Sequence, residues 1–345
     1  MKKGLCIVNK KVLTSSLTLA FILLNLVFAS GPGSLARTPS TPPEPPADAL
    51  SFLPASDAVA VIDVHRLLNE ALPRIFSGDP AKLVTANLEI AKFKARTGID
   101  PRTFDRVALG LRYTYPSATV TKIETVAIAH GTFDARALVA AGRRAANGKY
   151  REVNHHGATI AVFNIGDQIK FLGLWNMRVN ELAACALDRN TLAIGTLPNV
   201  RAAIEAGKSG RASSDLVALA TRDPNALIGF GGNVTSELLK NLNVGNDAIA
   251  KDANSIRQVY GSIGMTETDF TLLLVARAAT AADAKNLSDT VMGLKQLGGI
   301  LIARMTPAKK NLAQSALDNL KITTRANELE IRTQFAAADL AAFLK

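Results

Sequence analysis

Four histidines, two cysteines and 29 acidic side chains are what this 345-residue chain offers for acid–base, nucleophilic or metal chemistry. Asp63 and His65 stand at the end of the apolar run Ala58-Val59-Ala60-Val61-Ile62. Residues two apart on a strand point the same way, so this pair would share a proton or a cation. The structural alternative is that Asp63 caps a helix starting near His65. Glu124 and His130 belong to a second apolar run, and their even spacing puts them on one face if the strand is regular. Asp63, His65, Glu124 and His130 are therefore the candidate catalytic residues, with no third partner evident for either pair. His155 and His156 are adjacent, so on a strand they face opposite sides and cannot hold one ion together. They precede Gly157 and are expected at a solvated hairpin tip. No zinc-type spacing occurs, and neither a metal nor a cofactor is expected.

Nucleophiles are poorly placed. Cys185 lies in Leu182-Ala183-Ala184-Cys185-Ala186-Leu187, an apolar strand in which a thiol is buried and inert. No Gly-x-Ser-x-Gly elbow is present. Gly229-Phe230-Gly231-Gly232-Asn233 follows an expected strand and precedes an expected helix. Gly231, Gly232 and Asn233 are the candidate ligand-binding residues, because a glycine turn there would aim backbone amides at a phosphate. The motif lacks the Gly-Lys-Ser/Thr of a Walker loop and the full dinucleotide fingerprint, and the matching place in the first half, Asp63-Val64-His65, lacks the glycines, which favours a local turn or close packing.

Lysine and arginine outnumber aspartate and glutamate by 40 to 29, a formal charge of +11 with a pI near 9.7. Aromatic residues make up 5%, too few to interleave stacking platforms with basic clusters, and nucleic acid is not an expected partner. An anionic envelope polymer or an envelope protein fits better, because the N-terminus has the three parts of an export signal. Lys2, Lys3, Lys10 and Lys11 precede an uncharged apolar stretch that ends in Val27-Phe28-Ala29. Cleavage after Ala29 is expected, giving a signal peptide over 1–29 and leaving +7 on the mature chain. An uncleaved anchor is the alternative, with membrane contact only through residues 12–29. Seven of the 14 prolines lie between Gly31 and Pro54, so residues 30–54 are expected as a stiff linker.

Short runs rich in β-forming apolar residues predict strands near 58–64, 106–113, 123–131, 225–230, 258–265 and 270–276. Hairpins are expected over 150–164, 182–196 and 320–334. Helical periodicity is clearest over 81–97, 133–146 and 281–304. The second half replays the order of the first, and residues 186–196 align without a gap on 323–333. Asn190 matches Asn327, Leu192 matches Leu329 and Ile194 matches Ile331. Asparagine tolerates turn conformations, while leucine and isoleucine two apart share a strand face. The fold class expected is α+β, two related units of mostly antiparallel sheet covered by helices, over 55–208 and 213–345.

Leu53-Pro54-Ala55-Ser56-Asp57-Ala58-Val59-Ala60-Val61-Ile62-Asp63, with Thr97-Gly98-Ile99-Asp100-Pro101 and Phe104-Asp105-Arg106-Val107, resembles exported bacterial proteins of domain of unknown function 3352. The resemblance spans residues 53–111, implies an exported protein of repeated α+β units, and brings no catalytic residues. The function expected from the whole sequence is an exported, non-catalytic binding or scaffolding module of the cell envelope. Two alternatives stand beside it: an exported hydrolase assembled from the dispersed acidic and histidine residues, and a membrane-anchored sensor or chaperone-like module.

Overall fold

A computed structural model describes residues 49–97, 100–117, 120–171, 175–206, 210–240, 247–303, 305 and 307–343. The leader expected at 1–29 and the proline-rich residues up to 48 lie outside the described residues. Among the described residues twelve strands form one sheet: β1 (Ala58–Asp63), β2 (Phe104–Ser117), β3 (Val120–Gly131), β4 (Tyr150–His155), β5 (Ala158–Phe171), β6 (Trp175–Ala186), β7 (Thr191–Gly195), β8 (Ile228–Asn233), β9 (Ile256–Met265), β10 (Asp269–Ala278), β11 (Lys321–Arg325) and β12 (Glu328–Ala336). Their spatial order is β11-β12-β10-β9-β8-β1-β2-β3-β7-β6-β5-β4, and every neighbouring pair is antiparallel. The helical segments are α1 (residues 64–75), α2 (Pro80–Thr97), α3 (Ala135–Ala145), α4 (Leu197–Ala206), α5 (Ser214–Ala220), α6 (Ser236–Lys240), α7 (Asp247–Ala253), α8 (Ala281–Ile302), α9 (Pro307–Asp318) and α10 (Ala337–Phe343). The protein is α+β.

The two halves of the chain meet at the β1–β8 pair, where Val61 stands opposite Gly229 and Ala58 opposite Gly232. From there the order runs β1-β2-β3-β7-β6 on one side and β8-β9-β10-β12-β11 on the other. The first half carries β5 and β4 beyond β6. β1 reads as an unbroken apolar run because both its faces are covered. On one face Val59 and Val61 join a core with Leu216, Leu219 and Ala220 of α5, Val200 and Ala203 of α4, and Ala49 and Leu53. On the other, Ala60 and Ile62 pack with Phe133, Ala135 and Val139 at α3, and with Val64 and Leu67 of α1. α8 closes the second half through Ala284 and Leu287 against Ala278 and Leu329.

Three expectations change. The stiff linker does not extend to residue 54: Ala49–Phe52 form a 3₁₀ turn, Leu53 is 0% exposed, and Leu53 O accepts Ala212 N at 2.8 Å. Burial of an apolar turn outweighs the extended tendency of the prolines before it. The strand expected at 225–230 is displaced to Ile228–Asn233, so the glycine segment is strand rather than turn. The aligned asparagines do not supply the turn conformation. Ala326 takes the positive φ of its hairpin, 50°, and the asparagines act as clamps. Asn190 Nδ2 donates to Gly131 O at 3.0 Å, and Asn327 Nδ2 donates to Ala278 O at 3.0 Å. Each asparagine also accepts, at its main-chain oxygen, the N–H of the residue its side chain holds.

Candidate functional site

The acid–base candidates are held by local structure. Asp63 ends β1 in an extended conformation, and its Oδ1 accepts Arg66 N at 2.9 Å, the helix cap weighed from the sequence. His65 is already in the helix and exposed, so the strand spacing that would pair it with Asp63 does not apply. Glu124 receives Lys122 Nζ at 2.7 Å. His130 lies six residues along β3, about 20 Å away at strand rise, and its Nδ1 is 3.1 Å from the Oγ1 of fully buried Thr191. The register nevertheless forms a row that the sequence did not show: Asp63 opposite Arg106, Arg106 opposite His130, and His130 opposite Thr191. Directly opposed residues share a sheet face, so Arg106 stands between Asp63 and His130, which are two strand spacings or about 10 Å apart. The four candidates are not brought into one acid–base group.

The glycine candidates are likewise structural. Gly231 pairs with Val59 on one side and Tyr260 on the other, Gly232 with Ala58 and Val259, and Asn233 with Gln258. Their backbone lies in the sheet ladder instead of forming a cradle. A Cβ on Gly231 would lie 2.7 Å from Leu219 Cβ, and one on Gly229 would lie 2.0 Å from Ala220 O. The glycines let α5 settle directly on the strand.

Sequence patterns gave no sign of a polar cluster around Tyr260, which is 2% exposed. Arg222 and Arg277 lie over its ring at 5.0 and 5.6 Å, and Arg222 Nη1 donates to its hydroxyl. Arg277 also pairs with Glu328 at 3.0 Å. Burial raises the Tyr260 pKa, and the neighbouring Glu328 adds to that rise while the two guanidiniums oppose it. On β12, Arg332 Nε donates to Glu330; that hydrogen bond holds the Glu330 carboxyl below its usual range, against the opposing effect of burial. These arginines are tied to carboxylates and an aromatic ring, which suits a sheet surface held rigid. Cys185 is a buried free thiol whose pKa burial pushes up to about 11, with Arg143 opposing.

One side-chain group differs from its expectation and brings three potential ligands together. His156 is not on a strand: its φ is 48°, and Gly157 follows at 82°. The reversal swings its ring beside that of His155, with centroids 4.4 Å apart. Glu205, near the end of α4, places Oε1 2.7 Å from His155 Nε2 and 3.6 Å from His156 Nε2. One ligand atom from each of the three side chains lies within 4.8 Å of the others. Two imidazoles and a carboxylate are a donor set for a divalent transition ion.

The surface also carries an apolar strip. Five of the seven exposed large hydrophobic side chains among the described residues are Met292, Leu294, Leu297, Ile300 and Met305, on α8 and the turn after it. Among the described residues no helix is long and apolar enough to cross a membrane.

Fold and surface together define an α+β protein built on one antiparallel sheet. The sequence matches no family model and no curated protein. Among solved structures, TP0453 in crystal form III is similar at 10% identity and a TM-score of 0.44, covering 86% of this chain and 97% of that one. Crystal form IV of TP0453 gives 11% identity and a TM-score of 0.45, covering 86% and 96%.

Proposed function

We propose that the protein is an exported cell-envelope module that works by binding rather than catalysis, and that the outer face of α8 is its contact surface. The apolar strip carries this reading. Leu297 and Ile300, 54% and 60% exposed and three residues apart, turn away from the face on which Ala284 and Leu287 hold the helix to the sheet, and Leu294, 42% exposed, borders that face. Singly exposed apolar residues are ordinary on any surface, whereas a grouped strip marks a partner site. Lys309 and Lys310 follow it and are exposed, so the partner that fits is an envelope protein with an apolar surface and an acidic rim. Export is supported by the lysine-led apolar leader. The matched strand order and the paired asparagine clamps favour an origin by duplication of one unit. A binding role is further supported by the local duties of Asp63, Glu124 and His130.

The test is co-sedimentation of the chain beginning at Ser30 with isolated envelope membranes and, separately, with peptidoglycan. The wild type is expected to sediment with membranes that retain their proteins and to be lost from membranes stripped of them. A Leu297→Asp, Ile300→Asp double variant, altered only at exposed positions, is expected to remain in the supernatant. Equal sedimentation of the variant would overturn the assignment of the surface. Salt-sensitive binding to peptidoglycan that depends on Lys309 and Lys310 alone would replace the protein partner with an anionic polymer.

A further inference from the structure

We infer that His155, His156 and Glu205 form a binding site for a divalent transition ion of the zinc class. The site is built by three separate features. β4 ends at His155, the left-handed backbone of His156 brings its ring to the same side, and α4 presents Glu205 from fifty residues further along the chain. A non-glycine residue at positive φ is uncommon, and here it gives two consecutive histidines a common direction that a regular strand forbids.

The geometry is close to what the ion requires. Zinc takes imidazole nitrogen at about 2.0–2.1 Å and carboxylate oxygen at about 2.0–2.2 Å, which separates neighbouring ligand atoms in a tetrahedron by roughly 3.3–3.5 Å. Glu205 Oε1 is 2.7 Å from one Nε2 and 3.6 Å from the other, and all three ligand atoms fall within 4.8 Å. Adjustments of about an ångström remain, and rotations of half-exposed side chains supply them. His156 is 57% exposed at its side chain and Glu205 is 50% exposed, so both have room to adjust and water reaches the site. His155 is the fixed member at 21%.

Without the ion, His155 Nε2–H donates to Glu205. On binding, that nitrogen gives up its proton, which moves through solvent to Nδ1 when the ring is neutral or leaves to bulk water when it is an imidazolium. The freed lone pair and the Glu205 oxygen then both face the ion. Two neutral imidazoles with one carboxylate reduce the charge of a divalent ion to +1 and suit zinc better than calcium or magnesium, which prefer all-oxygen sets. Three protein ligands leave a tetrahedral ion one position for water.

The test is isothermal titration of the tag-free chain beginning at Ser30 with zinc alone. One ion per chain is expected, and His156→Ala and Glu205→Gln are each expected to weaken binding by at least about tenfold. His65→Ala, a change at an exposed histidine outside the cluster, is expected to bind as the wild type does. Copper-loaded wild type is expected to show two coordinated nitrogens by electron paramagnetic resonance, and His155→Ala one. Circular dichroism of each variant separates loss of the site from loss of the fold. Absence of stoichiometric binding, or unchanged affinity in folded His156→Ala and Glu205→Gln, would overturn the inference.

Discussion

Replacing Leu53 with alanine asks whether the chain just after the proline-rich segment belongs to the fold. Leu53 is 0% exposed, in the core that joins Ala49, Val59, Val126 and Leu216. The substitution removes three carbons, worth about 2.4 kcal/mol at roughly 0.8 kcal/mol for each buried methylene. The cavity adds to this, because the backbone cannot close over it. Leu53 O is held by Ala212 N at 2.8 Å, and Ala55 N is held by Gly210 O at 2.9 Å. A total near 3 kcal/mol follows, within the range of about 2–5 kcal/mol for buried leucine-to-alanine changes. In urea unfolding followed by circular dichroism, this lowers the midpoint by about 1 M if the slope is near 3 kcal/mol/M. Val84→Ala, at a position 58% exposed, is the control and is expected to stay within about 0.5 kcal/mol. A Leu53→Ala loss below about 0.5 kcal/mol would return residues 49–54 to the linker and refute the reasoning.

Other perturbations follow from single bonds. Asn190→Ala and Asn327→Ala remove equivalent clamps, and each is expected to cost about 1–3 kcal/mol in urea unfolding; a large effect in one and none in the other would separate the roles of the two hairpins. Asp63→Ala removes a cap and is expected to cost about 1 kcal/mol, with envelope binding unchanged in co-sedimentation; lost binding in a folded variant would implicate Asp63 directly. Glu330 has a lowered folded pKa, so its stabilising effect is present above the unfolded value near 4.3 and is lost as pH falls through the folded value. Melting curves from pH 6 to pH 3 are expected to converge for wild type and Glu330→Gln at the acid end, and parallel curves would contradict the assignment.

The sequence was most legible where a segment's environment is set by its own residues. The unbroken apolar run of β1 announced a strand, and the periodicity over 81–97 announced α2 almost to its ends. Chain reversals at His156-Gly157 and Ala326 fell inside the expected hairpins. What escaped was set by distant partners. The pairing of β1 with β8 joins segments about 170 residues apart and leaves no local trace. β5 and β6 run to Phe171 and from Trp175 through polar residues, so their alternation was too faint to extend the hairpin. Gly231 and Gly232 looked like a turn because nothing nearby in sequence reveals that α5 rests on Gly231. The metal-ligand set was hidden for the same reason: a strand rule placed His155 and His156 apart, and Glu205 arrives from another element.

Every proposal about envelope partners depends on the chain leaving the cytoplasm. The direct measurement is the intact mass and N-terminal sequence of the full chain expressed in a Gram-negative host and fractionated by osmotic shock. Export with cleavage predicts a periplasmic product that begins at Ser30. Full-length chain of 36.5 kDa, soluble in the cytoplasmic fraction and absent from the shock fluid, would contradict it.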